Sequence, residues 1–147
     1  MKNIYEKIME FKNKYSGTIA FRLDKHASVL ENYINSDEEV LYAFCAQINA
    51  EWYDICSSCA IVLTNKRLLV GKKRLLWGSS YMQVTPEMYN DMEIYEGLLF
   101  GSITIDTVKE KIYLSKISNK ALDEIETYIS RFMMEAKNEL PKGESEE

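Results

Sequence analysis

At 147 residues, with 46% apolar and 28% charged positions, the chain is long enough to bury a core as one domain, or one domain with an extension. A net charge of -5 and a pI of about 5.1 argue against a general nucleic-acid binder, which would need a basic field. Three cysteines, an odd number, argue against a disulfide framework, and the charged start from Met1 to Lys7 lacks the apolar segment of a signal peptide. No apolar run approaches the ~18 residues of a membrane span, so a soluble cytoplasmic protein is the expectation.

In chain order, Ile4, Ile8, Phe11 and Tyr15 fall at helical spacing, and Ser16-Gly17 is a helix end with glycine suited to a left-handed cap. Thr18 as N-cap, with Ile19, Leu23, Ala27, Leu30 and Ile34 in line, predicts a second helix to about residue 34. Two such short helices cannot make their own core, so a helical hairpin over residues 1–36 must lie against something else. Strands follow. Residues 40–48 alternate with a period of two; residues 55–64 form a second strand with Ser57, Cys59, Ile61 and Leu63 on its inner face. A turn at Asn65-Lys66 leads into 67–70, and Gly71-Lys72-Lys73 reads as a second turn before a strand over 75–84. Pro86 breaks the pattern, a strand covers about 92–96, and a hairpin runs from 98–106 through Lys109, Glu110 and Lys111 into 112–114. The closing helix is capped by Ser118, stapled by Ile117 and Leu122, and carries the stripe Leu122, Ile125, Ile129, Phe132, Met133 and Ala136. Residues 139–147 read as an acidic, solvated tail.

Several stretches carry a resemblance. Asp37-Glu38-Glu39-Val40-Leu41-Tyr42-Ala43 opens the first strand, and Ala60-Ile61-Val62-Leu63-Thr64-Asn65-Lys66-Arg67-Leu68-Leu69 crosses the next two. Gly97-Leu98-Leu99-Phe100-Gly101-Ser102-Ile103-Thr104-Ile105-Asp106 and the helix from Ser118 complete the set. In these the chain resembles the bacterial pleckstrin-homology (PH) domain family, in particular its YokE-like members. The resemblance implies a mainly β, PH-like fold over residues 37–138: a seven-stranded antiparallel sandwich or partly open barrel capped by the C-terminal helix. It also implies a non-catalytic role without a cofactor, and it brings no shared ligand and no functional residues.

The residues themselves offer one candidate ligand site. Lys66, Arg67, Lys72, Lys73 and Arg74 flank two turns with no acidic residue among them, and Trp52, Tyr53 and Trp77 are expected nearby. Clustered cations of this kind suit a phosphorylated head group or an anionic membrane, and PH-like domains that bind phosphoinositides use comparable turns. The competing reading is a solvated surface, split into two groups at opposite ends of one strand. Cys56 and Cys59 form a lone Cys-x-x-Cys, short of the four ligands of a structural zinc, and read as packed strand residues. His26 has no nucleophile pattern beside it, and Glu87, Asp91, Glu93 and Glu96 suit a charged strand edge better than acid–base chemistry. Tyr5, Met9, Phe21, Tyr33, Met133 and Met134 either form a partner surface or become buried when the helices fold back. The expected function is therefore an interaction module for a protein partner or its own copies, the alternative being an anionic lipid bound through Lys72, Lys73 and Arg74. Nucleic acid is not expected.

Overall fold

The computed structural model describes residues 3–49 and 57–139. Seven antiparallel strands form one sheet: β1 (Val40–Ile48), β2 (Ser58–Thr64), β3 (Leu68–Lys73), β4 (Ser79–Val84), β5 (Tyr89–Glu96), β6 (Gly101–Thr107) and β7 (Lys111–Ile117). Their spatial order is β4-β3-β2-β1-β7-β6-β5. The helices are α1 (Ile4–Lys14), α2 (Leu23–Glu31) and α3 (Leu122–Asn138). This is the open PH-like architecture, with its C-terminal helix packed on β5 and β6.

The two halves of the sheet meet at a narrow joint. Only Gln47↔Ser115 and Ile48↔Leu114 pair β1 with β7, so the strands diverge beyond them. The α1–α2 linker occupies that joint. The Ile19 N–H donates to the Lys116 carbonyl at 2.9 Å, the Gln47 amide donates to the Ile19 carbonyl at 3.0 Å, and the Ser118 N–H donates to Thr18 Oγ1 at 2.9 Å. These bonds explain why the second helix starts at Leu23 and not at Thr18. Ile19 and Phe21 spend their backbone N–H groups on the sheet, and Arg22 enters the helix with a left-handed φ of 57°.

The helical unit lies on the sheet and shares its core. All seven residues of β2 are buried because one face meets the sheet's interior and the other meets α2, while α1 covers β1 beside it. Ile4, Ile8, Phe11, Ala27 and Leu30 join the strand residues in one cluster, each large aliphatic side chain contributing about 1.5–3 kcal/mol. Gly71 sets the approach of α2. A Cβ there would stand 2.6 Å from Leu30 Cδ2, so only glycine lets the helix sit this close. Gly71 and the two lysines after it are therefore strand, not turn, and the reversal comes at residues 74–78. Leu98 and Leu99 likewise lie in the β5–β6 turn and not in a strand.

Helix ends differ from the sequence reading in two further places. α1 is capped by Asn3 in a reciprocal box with Glu6, and it ends at Tyr15 with Gly17 outside the left-handed region. Ser118 makes no side-chain cap; a short 3-10 turn over Asn119–Ala121 leads into α3. Of the expected stripe, Leu122, Ile125, Ile129 and Met133 are buried, while Phe132 and Ala136 are half-buried. Tyr5, Phe21, Tyr33 and Met134 stay exposed, whereas Met9 and Met133 pack into the core.

Candidate interaction site

The five cations singled out in the sequence fall into two groups at opposite ends of β3. Five residue steps at ~3.3 Å each put the two ends roughly 17 Å apart. At the β2–β3 turn, Lys66 pairs with Asp37 at 2.6 Å on the exposed surface. Arg67 is held inside. Its Nε and Nη2 grip both oxygens of Glu38 at 3.0 and 2.9 Å, Nη1 donates to Tyr81 and Gln83, and Nη2 also donates to the Tyr33 carbonyl. All five guanidinium N–H groups are thus used, and none is left for a ligand. Glu38 further accepts from the Asn35 N–H and from Thr64 Oγ1. Arg67, foremost among these donors, holds the Glu38 carboxyl down to about 2. Tyr33 stacks on Tyr81 at 3.9 Å over the same turn.

The other end of β3 is built differently. Lys73 and Arg74 are exposed, Lys72 is half-buried, and none of the three carries an ion pair among the described residues. The turn they lead into holds Leu75, Leu76 and Trp77 in solvent, at 67%, 80% and 78% exposure. Gly78, at φ 83°, closes the reversal, and the Arg74 N–H donates to its carbonyl at 3.0 Å. Strand pairing of Lys72 with Ser80 and Lys73 with Ser79 stiffens the base of the hairpin.

α2 clamps that base. The Lys73 N–H donates to His26 Nδ1 at 2.9 Å, and Arg22 Nη1 donates to the Lys73 carbonyl at 3.2 Å. Burial, reinforced by the nearby charges of Arg22 and Lys72, pushes the His26 imidazole down to about 4. The histidine is a neutral acceptor packed under the hairpin, which is the structural role set against catalysis in the sequence. Arg22 is a fourth cation at this end, and sequence reasoning missed it. Its neighbour Phe21 is exposed, with its N–H bonded to Ser58 Oγ at the start of β2. Asp24 is the acidic side chain whose charge His26 also feels. Trp52, Tyr53 and Cys56 lie outside the described residues.

The remaining candidates are resolved more simply. Cys45 and Cys59 are buried on opposite faces, since Cys45 pairs with Ala60 and Cys59 with Ala46. Burial pushes the Cys45 thiol up to about 12, and Cys59 in the same direction. Glu93 and Glu96 lie exposed along β5, an outer strand of the sheet, as a charged edge should. Among the described residues no three His, Cys, Asp or Glu side chains gather as a metal site, and no helix is long and apolar enough to cross a membrane. Glu124, on α3, accepts from Lys14, Tyr15 and Tyr42 at 2.7–2.8 Å and so ties α1 and β1 to the last helix.

Comparison with known proteins agrees with the fold. The pleckstrin homology domain from Shewanella amazonensis SB2B shares 17% identity, covering 76% of this chain and 88% of its own, with a TM-score of 0.50. A DUF1696 family protein with a pleckstrin-homology domain from Shewanella loihica PV-4 shares 22%, covering 80% and 97%, with a TM-score of 0.52. The hSac2 domain from the human phosphoinositide phosphatase Sac2 shares 11%, covering 78% and 84%, with a TM-score of 0.55. At these identities the likeness is one of fold. No curated protein matches the chain in sequence. The family model "Bacterial PH domain" matches residues 34–131, without singling out the YokE-like members. The chain belongs to the bacterial PH domain family.

Proposed function

We propose that this chain is a non-catalytic interaction module that docks on an anionic membrane surface with the β3–β4 end. The observation carrying the reading is the run of six residues in which Lys72, Lys73 and Arg74 stand directly behind three exposed apolar side chains, Leu75, Leu76 and Trp77. Cations seek the anionic head groups, while leucine and tryptophan enter the interface beyond them. Arg22 and Phe21 add a second pair of the same two kinds at that end. Each cation near an anionic surface contributes about 1 kcal/mol, so the three on the hairpin account for roughly a hundredfold in partitioning. The overall charge of -5 does not oppose this, because charges more than about 10 Å from the contact are screened at ordinary ionic strength.

Recognition of protein would fall to a different face, along β1 and α3, where apolar side chains lie in a groove and not on a tip. Flotation with phosphatidylserine-containing and neutral vesicles tests the membrane reading. Binding should require the anionic lipid, fall with added salt, and drop about a hundredfold in Lys72→Ala/Lys73→Ala/Arg74→Ala, while Lys66→Ala at the far end has no effect. Equal binding to neutral vesicles, or an equal loss from Lys66→Ala, would refute it.

A further inference from the structure

The sheet ends in two outer strands, and their edges are finished differently. β5, at one end of the strand order, carries exposed Asp91, Glu93 and Glu96, and its register slips between Tyr89 and Asp91. Charges and irregular pairing both keep other strands from adding to an edge. β4, at the other end, has neither. Its six residues, Ser79–Val84, include no charge and no proline, and they pair with β3 in unbroken register.

The hairpin bond sets which backbone groups of β4 are free. Because the Arg74 N–H donates to the Gly78 carbonyl, every second pair below it, Lys72↔Ser80, Val70↔Met82 and Leu68↔Val84, exchanges the ladder bonds. Ser79, Tyr81 and Gln83 therefore turn their N–H and C=O groups away from β3. Lys73, opposite Ser79, confirms the phase: its own N–H and carbonyl point away from β4 and are taken by His26 and Arg22. Among the described residues the outward groups of β4 have no partner. They form a row of three donors and three acceptors, repeating roughly every 7 Å.

A slot runs along this row. Tyr81, Met82, Gln83 and Val84 line one side of a cavity of about 320 Å3, with Met88 and Lys109 across from them. Four consecutive strand residues share the lining, so the slot lies beside the edge of β4 and not over one of its faces. The Val108 N–H donates to the Met88 carbonyl at 2.8 Å and holds the far wall in place. Met82 and Met88, both half-buried against the core, give the slot an adaptable apolar lining.

We propose that the β4 edge captures an extended segment of another protein, which adds to the sheet as a further strand. Extended main chain matches a row of alternating donors and acceptors, whereas a helix, whose backbone groups are already paired, does not. Side chains of the added strand alternate, so one set meets Met82 and Met88 and is apolar while the other faces water. The segment occupies neither the β1–α3 groove nor the basic hairpin tip.

Fluorescence anisotropy of the full chain with a labelled probe tests the proposal. The probe is an octapeptide of alternating threonine and valine with a lysine at each end, and a fully N-methylated form, which lacks the donors, is its control. The wild type should bind the first saturably and not the second. Gln83→Pro removes one outward N–H without touching a ladder bond and should weaken binding at least tenfold. Gln83→Ala loses the same side-chain contact with Arg67 but keeps the N–H, and should bind as the wild type does. Circular dichroism establishes that both are folded. Amide hydrogen exchange on the wild type needs no variant: the probe should slow Ser79, Tyr81 and Gln83 at least tenfold and leave Ser80 and Met82 unchanged. Absence of binding, equal effects of the two Gln83 variants, or slowed exchange on β5 and not on β4 would each overturn the proposal. So would slowing of the same β4 amides by raised protein concentration without probe, since a second copy would then fill the slot.

Discussion

Replacing Arg67 by alanine should cost far more than replacing Lys66 beside it, although the two are adjacent cations in one turn. Lys66 meets Asp37 on an exposed surface, where both partners are well hydrated, and such a pair contributes about 0–1 kcal/mol. Arg67 meets a Glu38 side chain with no exposed surface. Truncation removes two of the four hydrogen bonds Glu38 accepts and leaves it with the Asn35 N–H and Thr64 hydroxyl alone. It also strands Tyr81, Gln83 and the Tyr33 carbonyl, each of which loses its arginine donor. Leaving a buried carboxylate without its counter-charge costs about 3–5 kcal/mol. Set against the 5–15 kcal/mol that holds a typical domain, Arg67→Ala should unfold at much lower urea, with Lys66→Ala within about 1 kcal/mol of wild type. Equilibrium urea unfolding followed by circular dichroism reads both. If the two variants lie within 1 kcal/mol of each other, the ion pair is not the clamp described here.

Other outcomes follow from the same structure. Gly71→Val should destabilise by about 1–3 kcal/mol, because the new side chain meets Leu30 at a distance no rotamer relieves; denaturant unfolding measures it. Stability should fall on acidification from pH 6.5 toward 4.5. His26 is pushed down to about 4 in the fold, so the unfolded chain takes up its proton first, and the loss is at most about 1.4 kcal/mol per pH unit. Glu38, whose folded value is about 2, adds its own loss only below its ordinary value of 4.5, so the upper window isolates the histidine, and a His26→Gln variant should flatten it. In a Cys56→Ser background the remaining thiols should resist iodoacetamide until the protein unfolds, since burial raises both; prompt labelling of native protein would contradict that packing.

The sequence was most informative where local pattern and tertiary environment agree. The closing helix shows its buried stripe at Leu122, Ile125, Ile129 and Met133, and β1 stands where its apolar run placed it, although Ala43 to Gln47 are all buried and do not alternate as a half-buried strand would. Gly71-Lys72-Lys73 has the composition of a turn, but the glycine is there to admit Leu30, 41 positions earlier, and no local rule reports that. Thr18 and Ile19 fit a helical spacing by coincidence while the Thr18 hydroxyl and the Ile19 N–H bond to Ser118 and Lys116, about a hundred positions away. Leu75, Leu76 and Trp77 look like strand interior from composition, and only the hairpin geometry shows them in water. The basic site was half legible. The sequence marks Lys72, Lys73 and Arg74 together, but pairing of Arg67 with Glu38 and arrival of Arg22 beside Lys73 depend on contacts 29 and 51 residues apart.

Trp77 itself gives the most direct reading of the functional claim. In a Trp52→Phe background its fluorescence reports one position at the tip of the β3–β4 hairpin. On adding phosphatidylserine vesicles the emission should shift to the blue and be quenched by brominated acyl chains, and high salt should reverse both. Emission unchanged by vesicles, or equally shifted by neutral ones, would contradict docking of this end on an anionic membrane.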